Sequence, residues 1–270
     1  MLRPKGTVHL SFIIGLVFIV LGIVSIDLSI FYALQVPALI GLGLTFWGAI
    51  FFLIAPTSYV DARLLASAVY PEYSTFDRIT NDLKCEKSYY IPASPKSGSV
   101  SEQQKGLKDP VVFVQTAGPR GRSPPIPPIK DLSQGKFLLA KGKGALLTPP
   151  GLSLLKQIEK KMKTKLNGLS VEEICEVMPR IIPQDFPLAK GLTMNAESEI
   201  IHLSIQNSIY KSLYDPEKGS KSVQILGCPI ASAIACILAQ TSGKTITITE
   251  TKVSPDMSTI ETEYKIVSRP

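Results

Sequence analysis

Cys228 and His202 are the residues whose types could do chemistry together. The chain carries four cysteines, Cys85, Cys175, Cys228 and Cys236, and two histidines, His9 and His202. No two cysteines form a CxxC pair, and with so few histidines to join them the spacing does not suit a zinc site. Cys228 stands immediately before Pro229 at the start of an expected helix. There a thiol feels the positive end of the helix dipole and can ionise more readily. Two readings stay open: a reactive or ligand-contacting thiol, and a small buried cap packed under a sheet. His202 is the candidate base for the first reading. Cys228 and Cys236 lie about 12 Å apart along a helix axis and cannot bridge within it. No nucleophile elbow, paired-carboxylate motif or dinucleotide fingerprint occurs. The sequence therefore assigns no catalytic residue, no metal and no cofactor. Its candidates for ligand binding are Cys228, Pro229, Asn207 and His202.

The elements that must position these residues fall in the last third of the chain. From Leu192 the pattern turns to strands, and residues 199–205 alternate with Ile201, Leu203 and Ile205 on one face. After Asn207-Ser208, residues 209–214 read as a short helical turn and 215–222 as a polar loop. Gly227-Cys228-Pro229 leads into a helix to about Gln240. Ile230, Ile234, Ile237 and Leu238 give it bulk, while Ala231, Ala233 and Ala235 leave room for close backbone approach. Gly243 ends it. Residues 245–250 and 260–266 then alternate about a Pro255-Asp256 turn, which predicts an antiparallel hairpin.

Upstream, the signals are mixed. Residues 60–70 predict a short helix stopped by Pro71, and Thr75 caps another reaching Leu83. Residues 88–91 and 111–115 read as strands. Residues 92–108 are polar and read as a flexible loop. In 118–130, Pro119, Pro124, Pro125, Pro127 and Pro128 alternate with Arg120, Arg122 and Lys130, which favours polyproline II. This is either a docking motif or a stiff loop between strands. Residues 136–140 and 145–147 resemble paired strands around a Lys-Gly-Lys-Gly turn, too short for a P-loop. Thr148 and Pro149 open a basic amphipathic helix with Leu152, Leu155, Ile158 and Met162 on one side and five lysines over much of the rest. It could touch a membrane surface or be an ordinary solvated helix face. Ser170 with Glu173 forms a capping box for residues 171–178, which Pro179 and Pro183 end.

The first 56 residues decide where all this sits. Residues 8–26 and 34–55 are nearly all apolar, with no charge between Asp27 and Asp61. Each can cross a hydrocarbon core of roughly 30 Å as a helix, and residues 27–32 are the turn. A signal peptide is the rival reading, but the first run is too long for one. Arg3 and Lys5 precede the first run, Arg63 follows the second, and the turn has no Lys or Arg. Both termini are thus expected in the cytoplasm, on a two-helix, multi-pass cell-membrane protein. Gly15, Gly22, Gly41, Gly43 and Gly48 suit close helix–helix packing.

The net charge of +7 favours rest against anionic headgroups. The chain lacks the interleaved aromatic and basic pattern of a nucleic-acid binder. Cytosolic placement predicts free thiols. The expected fold is a membrane α-helical hairpin (8–56) after a cytosolic tail (1–7), followed by an α+β cytosolic domain with a mainly antiparallel sheet. The domain divides into 57–147, with short helices, strands and Pro-rich loops, and 148–270.

The order from a strand ending in Asn207-Ser208, through Cys228-Pro229 opening a small-residue helix and Gly243, to a final hairpin resembles the C-terminal half of the 4-vinyl reductase-like domain. That family is related in fold to a vesicle-tethering complex subunit. The resemblance spans 192–267 and implies a small-molecule or hydrocarbon-binding sensor module. The chain departs from it in the final hairpin, where residues 251–259 hold no cysteine. The overall layout also resembles uncharacterised archaeal membrane proteins with two N-terminal helices. Three functions follow as expectations: a membrane-anchored binding or sensory module for a small apolar ligand, a docking subunit of a membrane-associated complex with a protein partner, and a thiol-dependent enzyme using Cys228.

Overall fold

The computed structural model describes residues 7–32, 35–53, 62–93, 107–116, 137, 144–162 and 166–267. The Pro-rich segment 118–130, nearly all of 136–143 and most of 92–108 lie outside the described residues. The chain forms two compact units, residues 1–61 and 62–270.

The first unit is a helical hairpin of α1 (Thr7–Tyr32) and α2 (Gln35–Leu53). The expected turn at 27–32 is helical instead. Nothing in Leu28 to Tyr32 breaks a helix, so α1 runs on past Asp27. The buried positions are small: Gly15, Gly22 and Ser29 on α1, seven apart, and Gly41 and Gly48 on α2. A Cβ on Gly22 would lie 2.8 Å from the Gly41 carbonyl oxygen, so the backbones meet where a side chain cannot fit. Ser25 Oγ donates to the Pro37 carbonyl at 2.8 Å, and Phe18 meets Phe51 with ring centroids 5.8 Å apart. With small residues in the seam, the large apolar side chains point outward. In α1 the stretch Ile13–Tyr32 is long and apolar enough to cross a membrane, and in α2 Gln35–Phe51 is apolar but shorter.

The second unit is built on one seven-stranded sheet, antiparallel at each pairing, in the order β3-β2-β1-β6-β7-β5-β4. The strands are β1 (Cys85–Ile91), β2 (Val111–Thr116), β3 (Gly144–Leu147), β4 (Gly191–Glu197), β5 (Ile200–Gln206), β6 (Thr245–Val253) and β7 (Thr259–Val267). The expected division after residue 147 falls inside this sheet: 62–147 and 148–270 share it through the pairing of β1 with β6, and so belong to a single unit. Helices α3 (Ala62–Asp82), α4 (Leu152–Met162), α5 (Val171–Asp185), the single turn α6 (Val223–Leu226) and α7 (Pro229–Ser242) complete it.

Helix α7 is the centre of the core. Residues 229 to 239 are all buried, as a helix apolar on every side requires. Strands β1 and β6 line one side and α4 another. The approach of α4 depends on Gly151, where a Cβ would come 2.1 Å from the Ala233 nitrogen. Of the three alanines expected to leave room for close backbone approach, Ala233 is the one at this point, beside the Pro229 carbonyl. Gly243 closes the helix in the left-handed conformation.

Three proline readings are corrected by the structure. Helix α3 runs unbroken through Pro71, and α5 runs through Pro179 and Pro183. A proline inside a helix removes one backbone hydrogen bond and crowds the preceding turn. Here the buried stripes outweigh that: Ala66, Tyr73, Phe76 and Thr80 on α3, and Ile174, Cys175, Met178 and Ile182 on α5. Thr75, expected as a cap, sits mid-helix with its hydroxyl donating to the Pro71 carbonyl at 3.0 Å. The Ser170–Glu173 capping box forms as read, with bonds of 3.1 and 2.7 Å. Helix α4 starts at Leu152 rather than Pro149, because Pro149, Pro150 and Gly151 form a turn before it.

Candidate functional site

The lead-in to α7 turns sharply inside the protein, so its backbone groups need partners away from water. Side chains supply them. Ser88 Oγ donates to the Ile225 carbonyl at 2.6 Å, the Tyr90 hydroxyl donates to the Leu226 carbonyl, and the Tyr73 hydroxyl donates to the Gly227 carbonyl at 2.5 Å. The Cys228 N–H donates to the Tyr214 hydroxyl at 3.0 Å. One turn on, the Tyr264 hydroxyl donates to the Ala231 carbonyl at 2.9 Å. Ser232 Oγ accepts from the Gly151 N–H at 3.0 Å and bonds Tyr90 at 3.1 Å. Tyrosine suits this work because its ring fills the core while its tip hydrogen-bonds.

Cys228 is the residue that caps α7, as read from the sequence, with Pro229 in its first turn. Both are buried, Cys228 completely. The Ala231 and Ile230 amides and the Tyr214 hydroxyl lie against the thiol and favour its ionised form, but burial outweighs them and pushes the thiol up. The expected activation by the helix dipole is thus overridden by desolvation. Burial likewise raises Tyr73, Tyr90, Tyr214 and Tyr264, and holds Tyr210 at about 12. The four cysteines are free thiols.

His202 does not join this cluster. On β5, Ile201, Leu203 and Ile205 face the core, so His202 between them is exposed on the opposite face of the sheet. It cannot act as a base for Cys228. Asn207 is an exposed turn residue with φ of 49°, its N–H donating to the Ser258 carbonyl at 2.6 Å. The structure therefore brings Cys228 and Pro229 together and leaves His202 and Asn207 elsewhere.

His202 lines a different feature. The β4, β5, β7 and β6 part of the sheet carries an open cleft of about 360 Å³ on its outer face. Register places Asn195, His202, Glu263 and Glu250 in one row across the four strands, and Thr193, Ser204, Glu261 and Lys252 in the next. Carboxylates outnumber cations here. Lys252 pairs with Glu250 at 3.0 Å, and that bond holds its ammonium above the ordinary range. Thr249 Oγ1 donates to Glu263 at 2.6 Å. Among the described residues, no group of three or more His, Cys, Asp or Glu side chains is placed to hold a metal ion.

Sequence reading missed the tyrosine clamp, because Tyr73, Tyr90, Tyr214 and Tyr264 are scattered over most of the unit. It predicted the alternation of residues 260–266, but not that His202 shares a face with Glu261 and Glu263.

The fold and its two features define an α-helical hairpin protein bearing an α+β unit with an antiparallel sheet. The chain belongs to the family described as a domain of unknown function, DUF7982, whose model matches residues 11–264 and so takes in parts of both units. No curated protein and no solved structure matches it.

Proposed function

We propose that the protein is a membrane-anchored binding module whose recognition surface is the outer face of the β4-β5-β7-β6 sheet. The observation that carries the binding role is the open cleft lined by the side chains of His202, Glu250, Glu261 and Glu263. Its excess of carboxylates suits a polar or basic segment of a protein partner better than a small apolar ligand. This favours the docking role among the three functions the sequence allowed. The resemblance to the 4-vinyl reductase-like domain would place a ligand beside Cys228, where the described side chains enclose the thiol completely. A thiol-dependent reaction would need a base, and the groups against Cys228 are tyrosine hydroxyls and backbone amides.

The anchoring role is supported by the hairpin's inverted packing. Small residues fill its seam, while Leu39, Leu42, Phe46 and Trp47 are each more than half exposed. Such a surface is costly in water and stable in lipid. The placement of Arg3, Lys5 and Arg63 supports a cytoplasmic location for both termini and for the sheet unit.

The test is purification of the full chain from native membranes in mild detergent, wild type against Glu261→Lys/Glu263→Lys. The expected result is a protein partner retained by the wild type and lost from the variant at unchanged melting temperature. Identical partner profiles would overturn docking through this face.

A further inference from the structure

The sheet unit buries its large apolar side chains almost without exception. Among its described residues, those that stand exposed are Leu64, Leu65 and Phe137, and the first two are adjacent on the first turn of α3, Leu64 at 66 % exposure. Helical spacing adds Ala68 to their face, and Glu72 and Thr75 continue it as polar, exposed positions. The exposed apolar face is therefore confined to the first two turns of α3.

Helix α3 cannot rotate to hide these leucines. Its second half is bolted to the core by the Tyr73 hydroxyl on the Gly227 carbonyl at 2.5 Å. Asp77 Oδ1 accepts from the Ser222 N–H at 2.7 Å and from Ser220 Oγ at 2.8 Å. Tyr73 and Phe76 pack edge to face beneath. Turning the helix to bury Leu64 would break all of these, so among the described residues of this unit none can cover the leucines.

We propose that the first two turns of α3 lie in the headgroup region of the bilayer, with Leu64 and Leu65 inserted at its acyl boundary. The inference rests on the hairpin being the membrane anchor. Only residues 54–61 separate Leu53 of α2 from Ala62 of α3, and the nine residue steps between them reach at most about 32 Å when fully extended. The linker thus keeps the start of α3 within that reach of the end of α2. A short helix with apolar residues on one face and Arg63 in the same turn has the composition of an interfacial segment on anionic lipid.

The test uses the full chain reconstituted into anionic vesicles containing lipids brominated near the headgroup end of the acyl chains. Trp47, the single tryptophan, reports on the hairpin in the wild type. Leu64→Trp in a Trp47→Phe background reports on α3, and Leu65→Trp repeats the measurement should the first variant misfold. The expected result is loss of emission for Trp47 and for the tryptophan placed at 64. Quenching of Trp47 alone would overturn the inference and leave the anchor standing. Quenching of neither would overturn the anchor as well. A blue-shifted but unquenched tryptophan at 64 would show that protein, a second copy or a partner, covers these leucines instead of lipid.

Discussion

Tyr73 illustrates how much a single hydroxyl can carry. It closes off the Gly227 carbonyl in the middle of the core and ties α3 to the start of α7. Tyr73→Phe leaves that carbonyl without its donor, and leaving a buried acceptor unsatisfied costs about 1–3 kcal/mol. Urea unfolding followed by circular dichroism should show that loss, and an unchanged midpoint would contradict the clamp. The same cluster makes stability pH-dependent on the alkaline side. In the unfolded chain the Cys228 thiol and the phenols ionise near 9.0 and 10.0, while burial raises the folded values of Cys228, Tyr73, Tyr90, Tyr214 and Tyr264. Above those unfolded values the folded state holds more protons, so stability falls as pH rises. It should be fully present below about pH 9 and decline beyond. Thermal melts across that range check the sign. At this scale the sequence showed Cys228 as a helix-capping residue correctly, but its surroundings come from residues far apart in the chain.

At the scale of elements, α7 and its neighbours show where periodicity suffices and where it does not. The apolar, small-residue run from Pro229 was legible as a helix, as was the capping box of α5. The continuation of α3 through Pro71 and of α5 through Pro179 and Pro183 was not, because burial of one face overrode a local penalty. The tightest contact is α4 on α7 at Gly151. Gly151→Ala forces a methyl against the Ala233 backbone, and overpacking of this kind costs about 1–3 kcal/mol. The melting temperature of the variant should fall accordingly. Retention of the wild-type value would mean that α4 sits farther from α7 than described.

At the scale of the whole molecule, the two units solve opposite problems. The sheet unit hides its apolar side chains, and the hairpin displays them. The full chain should therefore stay with the membrane pellet through an alkaline carbonate wash and be released by detergent. Release by carbonate alone would contradict the anchor. The family match spans parts of both units. The α6–α7 stretch Val223–Ser242 is as long as the apolar stretch Ile13–Tyr32 of α1 and is also apolar, yet it lies mostly buried in the core. Apolar length alone therefore does not separate the two environments; the side chains around each helix do.

By itself the sequence determined the helical hairpin, the α+β character of the rest and the antiparallel final strands, because each is written in local periodicity and composition. It also determined that Cys228 would begin a helix, since a glycine and a proline bracket it. Only the tertiary structure decided what that position means. Pairing β1 with β6 brings Tyr90 to Leu226, and packing α3 on the sheet brings Tyr73 to Gly227, over sequence separations that no local pattern encodes. Strand register likewise decided that His202 sits beside Glu263 on the outside of the sheet, with the sheet between it and Cys228. Alternation fixes which residues share a face, but which face meets the helices is settled only by packing.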